Sequence, residues 1–363
     1  MCARQPQPQV RLVTHTSRPA TFAIPGDIDT KTGGFIYERR LLLGLRAQRR
    51  EVAHLQLPGG FPDPTPAEMQ AAAAALAAVP AEVPLIVDGL VWGAIETEAL
   101  AAARAPLVAM IHHPLALESG LSPARAATLH TREAANCALA AHVLVPSAHT
   151  ARVLVADYGV APDRITIAPP GFPKPESTRR PADPPLILSV GILHPRKGHD
   201  TLLDALAKLT DLRWQAVIAG PAYDTAHAAL LRRQCDALGL SSHIRFAGAV
   251  DEPELHRLYS SATLFALATR YEGYGMVFSE ALCHGLPIVA CATGAVPDTV
   301  PADAGLLVPP DDPAAFAGAL RRVLTDPALA HRLSEAAARA GDALPDWTDT
   351  AAIAGRVLDS LPG

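Results

Sequence analysis

Short apolar runs alternate along the chain with longer segments that have helical periodicity. In the first half the apolar runs cover residues 20–25, 53–57, 85–87, 107–110, 141–145 and 165–168, with a weaker candidate at 10–13. In the second half they cover residues 186–190, 214–219, 244–246 and 288–291. Runs that are apolar throughout are typical of parallel strands buried on both faces. Their alternation with helices predicts an α/β fold with parallel sheets.

The length of the chain predicts two domains. A single hydrophobic core seldom extends over 363 residues. The segment 169–185 is rich in proline and polar residues, and we interpret it as the interdomain linker. We therefore expect a first domain over residues 1–175, a second over residues 176–340 and a closing helical segment over residues 341–363.

Composition and charge exclude several classes of protein. The chain is 49% hydrophobic and 18% charged, which indicates a globular protein, and its net charge of −5 argues against a nucleic-acid partner. It contains no apolar run of eighteen residues, and residues 1–10 do not resemble a signal peptide. Five cysteines, none in a C-x-x-C pair, favour reduced thiols and a cytoplasmic location over disulfides or a zinc site.

Residues 271–298 combine a glycine turn, a short helix and a buried strand. Gly273 and Gly275 bracket Tyr274, so the backbone there can adopt left-handed angles and approach a ligand closely. We expect the helix to begin after this turn and to end at Gly285. The free amides at the start of such a helix form an anion site.

Two carboxylates flank the glycine turn. Glu272 precedes it, and Glu280 follows with seven residues between them. Phosphates need hydrogen-bond donors, whereas sugar hydroxyls need acceptors, and this segment offers both.

The pair Glu272 and Glu280 resembles the E-x7-E signature of retaining family 4 glycosyltransferases of GT-B fold. The sequences GLPIVACATGAVPDTV and AGLLVPPDDP resemble the next two blocks of that family, and the ordered blocks cover most of residues 186–312. The resemblance implies two Rossmann-like, doubly wound domains that face each other across a cleft. The first would bind the acceptor, the second the nucleotide sugar, and the closing helix would cross back to the first.

The resemblance also implies a reaction, in which a hexosyl group passes from a nucleotide-diphosphate sugar to an acceptor hydroxyl with retention of configuration. The acceptor would be a glycolipid, a polysaccharide or a small molecule, and no metal or other cofactor is expected. Glu272 would accept hydrogen bonds from the transferred sugar and Glu280 from the ribose. The remaining predicted donor contacts are Gly191, Gly220, Val250, Gly273, Tyr274, Gly275, Met276 and Val277.

Arg196 and Lys197 are the candidates for neutralising the donor diphosphate. Charge develops on this group as it departs, so the site must hold cations in place beforehand. Lys197-Gly198 resemble the lysine–glycine part of the family's basic block, but Ile192 stands where the family usually has arginine. We expect Arg196 to supply the missing charge.

Two further features of the first domain belong to the predicted cleft. The family places a glycine pair, here Gly33-Gly34, near the donor phosphates and acceptor, and a histidine near the reacting sugar. His112 matches that histidine best, and His113 is the alternative. Because neighbouring strand residues point to opposite sides, we expect only one of them to face the cleft. An ordinary βα loop and a structural histidine are the competing interpretations.

Two features favour other interpretations. Asp27 and Asp29 form a D-x-D pattern, and hard cations prefer carboxylate ligands. The downstream blocks nevertheless indicate a metal-independent fold. The predicted helix at 36–50 is basic and leucine-rich, so it could contact an anionic membrane surface or could pack its leucines on the sheet.

Two alternative functions remain open at this stage. The same fold hosts sugar-nucleotide epimerases and hydrolases, which would turn over the donor without an acceptor. A non-catalytic partner protein that binds nucleotide sugars is the second alternative, and Ile192 favours it. The presence of Glu272, Lys197 and Glu280 favours catalysis.

Overall fold

A computed structural model describes residues 17–175 and 179–362 and contains two six-stranded parallel sheets. The weak candidate strand at 10–13 lies outside the described residues. The first sheet consists of β1 (Ala20–Pro25), β2 (Val52–Leu57), β3 (Leu85–Asp88), β4 (Leu107–Met110), β5 (His142–Val145) and β6 (Ile165–Ile167). Its helices are α1 (Gly33–Ala47), α2 (Pro66–Ala77), α3 (Gly89–Ala94), α4 (Thr97–Ala101), α5 (Pro123–Leu139) and α6 (Ala148–Tyr158).

The second sheet follows the linker. It consists of β7 (Leu186–Val190), β8 (Gln215–Ala219), β9 (Ile244–Gly248), β10 (Leu264–Leu267), β11 (Ile288–Cys291) and β12 (Gly305–Val308). The helices after the linker are α7 (His199–Leu206), α8 (Thr225–Ala237), α9 (Glu252–Ser261), α10 (Met276–Cys283), α11 (Val296–Thr299), α12 (Pro313–Thr325), α13 (Pro327–Asp342) and α14 (Trp347–Ser360).

Strand order identifies both sheets as doubly wound. The first has the order β2-β1-β3-β4-β5-β6 and the second the order β12-β11-β10-β7-β8-β9. The order reverses between β1 and β3 in the first sheet and between β7 and β10 in the second. Open α/β sheets bind ligands beyond the carboxyl ends of their strands at such reversal points. The predicted pair of Rossmann-like domains is confirmed, and the topology directs attention to the loops after these strands.

The apolar runs form strands because they are buried on both faces. Every residue of β3, β4, β10 and β11 is buried. Helix starts are fixed by side-chain caps: Thr65 and Glu68 form a capping box at α2, and the Ser147 side chain accepts from the Thr150 amide at α6. The strands expected at 20–25, 107–110 and 288–291 have those bounds in the structure.

The closing helix α14 packs on the first domain. Its buried residues belong to the same core as Leu41 and Leu45 of α1. The buried guanidinium of Arg50 forms an ion pair with Asp359 of α14 at 2.8 Å. A Cβ on Gly44 would lie 2.8 Å from the Cβ of Ala351, so the glycine permits the close helix contact.

The helix expected at 36–50 begins earlier and ends earlier than predicted. It covers Gly33–Ala47, because the glycine pair forms its first turn instead of a preceding loop. Arg49 has a φ of 61°, which lies outside the helical region and follows the helix end. Among the described residues, no helix is both long enough and apolar enough to cross the hydrocarbon layer of a membrane.

Candidate active site

The loops after β4 and β10 meet at the boundary between the two domains. Ser147 Oγ, at the start of α6, donates to the carbonyl oxygen of Gly273 at 2.6 Å. Thr150 Oγ1 donates to the carbonyl oxygen of His112 at 3.2 Å. A Cβ on Gly273 would overlap that same His112 oxygen, so only glycine permits this approach. The glycine turn of the second domain therefore lies directly against the histidine loop of the first.

A buried cluster of charge lies beside this contact. Lys197 Nζ is 2.6 Å from Glu272 Oε1, and Arg196 Nη1 is 3.6 Å from Glu272 Oε2. Thr269 Oγ1 also donates to Glu272 Oε1, at 3.0 Å. Burial alone would raise the pKa of Glu272, but the charges of Lys197 and Arg196 outweigh burial and lower it. Glu272 is therefore an anion, and the two cations predicted from sequence lie together on it.

Arg196 also connects the two domains. Its Nε lies 3.0 Å from Glu118 Oε1 in the first domain, and His113 Nε2 lies 3.4 Å from the other oxygen of Glu118. Burial opposes ionisation of Glu118, but the hydrogen bond from His113 and the charge of Arg196 lower its pKa to about 2. Arg196 thus has one carboxylate partner on each side of the boundary.

The start of α10 forms a cradle of backbone amides. Gly275 has a φ of 84° and precedes the first helical residue, Met276, as predicted for this turn. Tyr274 stacks on Phe172 with 6.1 Å between ring centroids, which holds the turn against the linker. The first-turn amides of an α-helix have no partner within the helix and attract anions.

Glu280, the second carboxylate of the signature, lies within α10, which begins at Met276. Tyr259 Oη donates to Glu280 Oε2 at 2.7 Å and is 3.3 Å from the carbonyl oxygen of Val277. Burial raises the pKa of Glu280, and the tyrosine hydrogen bond lowers it in part. The carboxyl group is held by a neutral donor, in contrast to Glu272, which is held by two cations.

Three further predicted donor contacts, none of them charged, follow strands β7, β8 and β9. A Cβ on Gly191 would lie 3.4 Å from the side-chain carbons of Lys197, so the glycine accommodates the lysine stem. A Cβ on Gly220 would overlap the carbonyl oxygen of Gly191. Val250 follows β9 and packs partly on the core of the second domain.

The glycine pair of α1 faces the start of α10. A Cβ on Gly33 would lie 3.9 Å from Met276 Sδ, and one on Gly34 would lie 3.4 Å from His112 Cδ2. Two helix starts, one from each domain, therefore converge on the same space beside His112. Their convergence brings together the glycine motifs of the first and second halves of the sequence.

The expectation that only one of the two histidines faces the cleft is wrong. The His112 ring lies beside Gly34, and the His113 ring reaches Glu118 and lies 5.8 Å from the ring of Tyr271 in the second domain. Strand alternation does not apply, because β4 ends at Met110 and both histidines lie in the loop beyond it.

Several residues of the site gave no sequence signal. Glu118, on the short segment after the histidines, pairs with Arg196, and Thr269 contacts Glu272. Glu38 of α1 and Asp88 at the end of β3 lie behind His112 in the domain interior. Such contacts depend on how helices and loops from distant parts of the chain pack together.

Within the described residues, neither aspartate of the D-x-D pattern lies in a group of three potential metal ligands. Asp29 is exposed and forms an ion pair with Arg39 at 2.9 Å, and Asp27 accepts from the backbone amide of Asp29. Over residues 17–175 and 179–362, a single set of three potential metal ligands lies close together, namely Glu38, Asp88 and His112.

Two family models match this chain. Residues 30–173 match the family model described as Glycosyltransferase Family 4, and residues 173–340 match that of Glycosyl transferases group 1. The two matches meet where the linker begins, and together they include both converging loops.

Curated relatives are similar over part of their length. A D-inositol 3-phosphate glycosyltransferase of Nocardioides sp. is 35% identical over 214 residues, which is 52% of this chain and 46% of the relative. Another protein with that name, from Streptomyces bingchenggensis, is 31% identical over 261 residues, which is 65% of this chain and 57% of the relative. The chain spans about half the length of the curated relatives it matches.

Solved structures share the whole architecture. Sucrose-phosphate synthase from Thermosynechococcus elongatus superposes with a TM-score of 0.79 at 23% identity, covering 94% of this chain and 98% of that one. Anabaena HepE in complex with UDP-glucose superposes with a TM-score of 0.75 at 18% identity, covering 94% and 100%. These likenesses confirm the two-domain fold.

Proposed function

The chain belongs to glycosyltransferase family 4, within the group 1 glycosyltransferases, and we propose that it transfers a hexosyl group from a nucleotide-diphosphate sugar to an acceptor hydroxyl. The names of the curated relatives and the UDP-glucose in HepE support such a donor. The observation that carries the proposal is the pair Arg196 and Lys197 on Glu272, beside the start of α10.

Donor binding would exchange partners within this cluster. A diphosphate at the start of α10 competes with Glu272 for Lys197 and Arg196, since both cations prefer a dianionic partner of matching geometry. The released Glu272 carboxylate can then accept hydrogen bonds from the hydroxyls of the transferred sugar. Glu280, held by neutral Tyr259, is suited to accept from the ribose.

The leaving group determines the proposed mechanism. Lys197, Arg196 and the first amides of α10 stabilise the negative charge that grows on the departing diphosphate. The acceptor oxygen attacks the anomeric carbon on the face that the phosphate leaves, and the acceptor proton passes to the leaving phosphate oxygen. This route retains configuration and needs no metal ion. Gly33, Gly34 and His113 would border the acceptor, and His112 would position the sugar.

We propose a cytoplasmic site of action, which the four unpaired cysteines of the described residues support.

Peripheral membrane contact through α1 is a second proposal. Arg46 donates to the carbonyl oxygen of Val52, and Arg50 is buried on Asp359. Arg40 forms an ion pair with Glu252 at 3.7 Å. The supporting surface is therefore reduced to the exposed side chains of Arg49 and Leu43, of which the leucine is 52% exposed. Sedimentation with vesicles of anionic lipid tests this contact.

A thermal-shift measurement with UDP, GDP, ADP and CMP tests the donor site. A ligand at a hundredfold excess over its Kd should stabilise the protein by about 2.7 kcal/mol, and EDTA should leave the shift unchanged. At the same ligand concentration Lys197→Met should reduce the stabilisation to roughly 0.3–1.4 kcal/mol, whereas Lys208→Met, on an exposed turn, should keep it. A shift that requires added metal would contradict the metal-free proposal.

Turnover assays separate transfer from the alternatives. Transferase activity predicts that donor consumption depends on added acceptor and that the product keeps the anomeric configuration of the donor. Donor breakdown without acceptor would indicate a hydrolase. Nucleotide binding with no turnover of any sugar donor would indicate a binding protein.

A further inference from the structure

Two carboxyl groups lie behind His112 in the interior of the first domain. Glu38 of α1 is 0% exposed and Asp88 at the end of β3 is 3% exposed. One oxygen of each and one ring nitrogen of His112 all lie within 4.8 Å of one another. Both carboxyl oxygens of Glu38 are buried and receive no hydrogen bond from an amide, hydroxyl or amino group of the described residues.

The groups around this pair bring no permanent positive charge. Tyr37 and Glu38 come from α1, Asp88 from β3 and His112 from the loop after β4. The Leu90 amide donates to Asp88 Oδ1 at 2.9 Å. Within the described residues, neither carboxyl group forms an ion pair with lysine or arginine.

Two ionised carboxylates at such a distance would repel each other strongly in a buried site. The usual resolution is a single proton held between them, so that the pair carries one negative charge. Burial raises the pKa of Glu38 to about 7, and burial together with the charge of Glu38 raises that of Asp88 well above its ordinary value. Both pKa shifts favour retention of one proton by the pair at neutral pH.

The position of the His112 ring links the pair to the cleft. Its Nε2 lies 3.5 Å from Glu38 Oε1, and neither atom has a hydrogen-bond partner among the described residues. The Tyr37 ring meets the imidazole edge-on with 5.0 Å between centroids. The ring is therefore held between Tyr37, Glu38 and the glycine pair of α1.

We propose that Glu38 and Asp88 share one proton and act as positioning residues for His112. The negative charge of the pair accepts a hydrogen bond from Nε2–H of His112. This fixes the tautomer in which Nδ1 carries the lone pair and is available to a substrate hydroxyl. The role of His112 toward a substrate rests on the proposed function, whereas the shared proton does not.

Two isosteric variants separate the roles of the pair. In Asp88→Asn the new amide donates to Glu38, so the negative charge stays beside His112. In Glu38→Gln the amide donates to Asp88, so the charge moves to Asp88, which lies within 4.8 Å of the His112 nitrogen but, among the described residues, forms no ion pair with it. A role in packing alone would make the two variants equal.

Infrared difference spectroscopy at pH 7 tests the shared proton without any activity assay. The wild type should show the carbonyl stretch of one protonated carboxyl group that is absent from both variants, and Glu133→Gln should retain it. Identical spectra for the wild type and both variants would overturn the proposal. The proposal would also be overturned if the purified wild-type protein contained one equivalent of a divalent metal ion and Glu38→Gln did not.

Kinetics test the positioning of His112. Glu38→Gln should lower kcat at least about tenfold with little change in the donor KM. The acidic limb of its kcat/KM profile should move to lower pH, since the charge that favours protonation of His112 moves from Glu38, 3.5 Å away, to the more distant Asp88. Asp88→Asn should show a smaller loss and no such movement. Equal losses of kcat in the two variants, with unchanged pH profiles and correct folding, would overturn the positioning role. Absence of transfer by the wild type would refute the proposed function but not the shared proton.

Discussion

Lys197 Nζ and Glu272 Oε1 lie 2.6 Å apart in a part of the cleft where both side chains are nearly buried. The lysine that should bind the diphosphate is therefore already paired with the carboxylate that should bind the sugar. A buried pair of this kind is costly to break by removing one partner, because an uncompensated charge remains. A ligand that offers both a phosphate and hydroxyls replaces both partners at once.

Glu272→Gln should separate binding from turnover. The amide no longer competes for Lys197 and Arg196, so nucleoside diphosphate affinity should stay the same or rise. Turnover should fall roughly 100-fold or more, because the carboxylate no longer stabilises the sugar in the transition state. Calorimetry with the nucleotide and kcat with the full donor measure the two effects. Either a wild-type rate or a loss of nucleotide binding in this variant would contradict these roles.

Lys197→Met should weaken nucleoside diphosphate binding while preserving the fold. The methionine chain can still pack against Gly191, so the loss reports the charge. A charge-assisted hydrogen bond contributes about 1.5–3 kcal/mol, which corresponds to a Kd increase of roughly 10- to 150-fold. Titration calorimetry measures it, with Lys208→Met as the control. Equal affinities for the two variants would place the diphosphate elsewhere.

Gly273→Ala should disturb the contact between the domains. Its Cβ would overlap the carbonyl oxygen of His112, so the loops after β4 and β10 must separate. We expect loss of transfer activity and a larger radius of gyration in X-ray scattering, with both domains still folded. Gly318→Ala in α12 is the matched control, since its Cβ would meet no atom within 4 Å. Activity of Gly273→Ala at the level of Gly318→Ala would contradict the tight contact.

Glu133→Gln should change how stability depends on pH. Glu133 is buried on α5, accepts one hydrogen bond from the Leu115 amide, and has a pKa raised by burial to about 8. The folded protein keeps this proton while the unfolded chain loses it near pH 4.5, so stability falls as the pH rises between these values. The variant should lose less thermal stability than the wild type from pH 5 to pH 8.

Exposed Glu335→Gln is the control for this titration, because its side chain forms an ion pair with His331 on the surface of the protein. Parallel curves for the wild type and Glu133→Gln would show that the Glu133 proton is not retained on folding.

The sequence predicted ten of the twelve strands in the described residues, but it predicted neither β10 and β12 nor the contacts between distant elements. β4 and β11 match their predicted bounds because burial on both faces leaves a continuous apolar run. The glycine signature likewise placed Glu272 beside a helix start. Glu38 could not be assigned, because nothing local indicates that its side of α1 faces Asp88.

Two errors had identifiable physical causes. The start of α1 was misjudged because glycine usually disfavours a helix interior, yet here Gly33 and Gly34 give room for Met276 and His112. The orientation of His113 was misjudged because strand alternation was extended past the last residue of β4.

The packing of α14 on α1 has a consequence for biosynthesis. The core that contains Leu41 and Leu45 also contains Ala351 and Leu358, which lie more than 300 residues further along the chain. During translation the second domain can complete its own sheet first. The first domain must wait, with one apolar face uncovered, until α14 has been made.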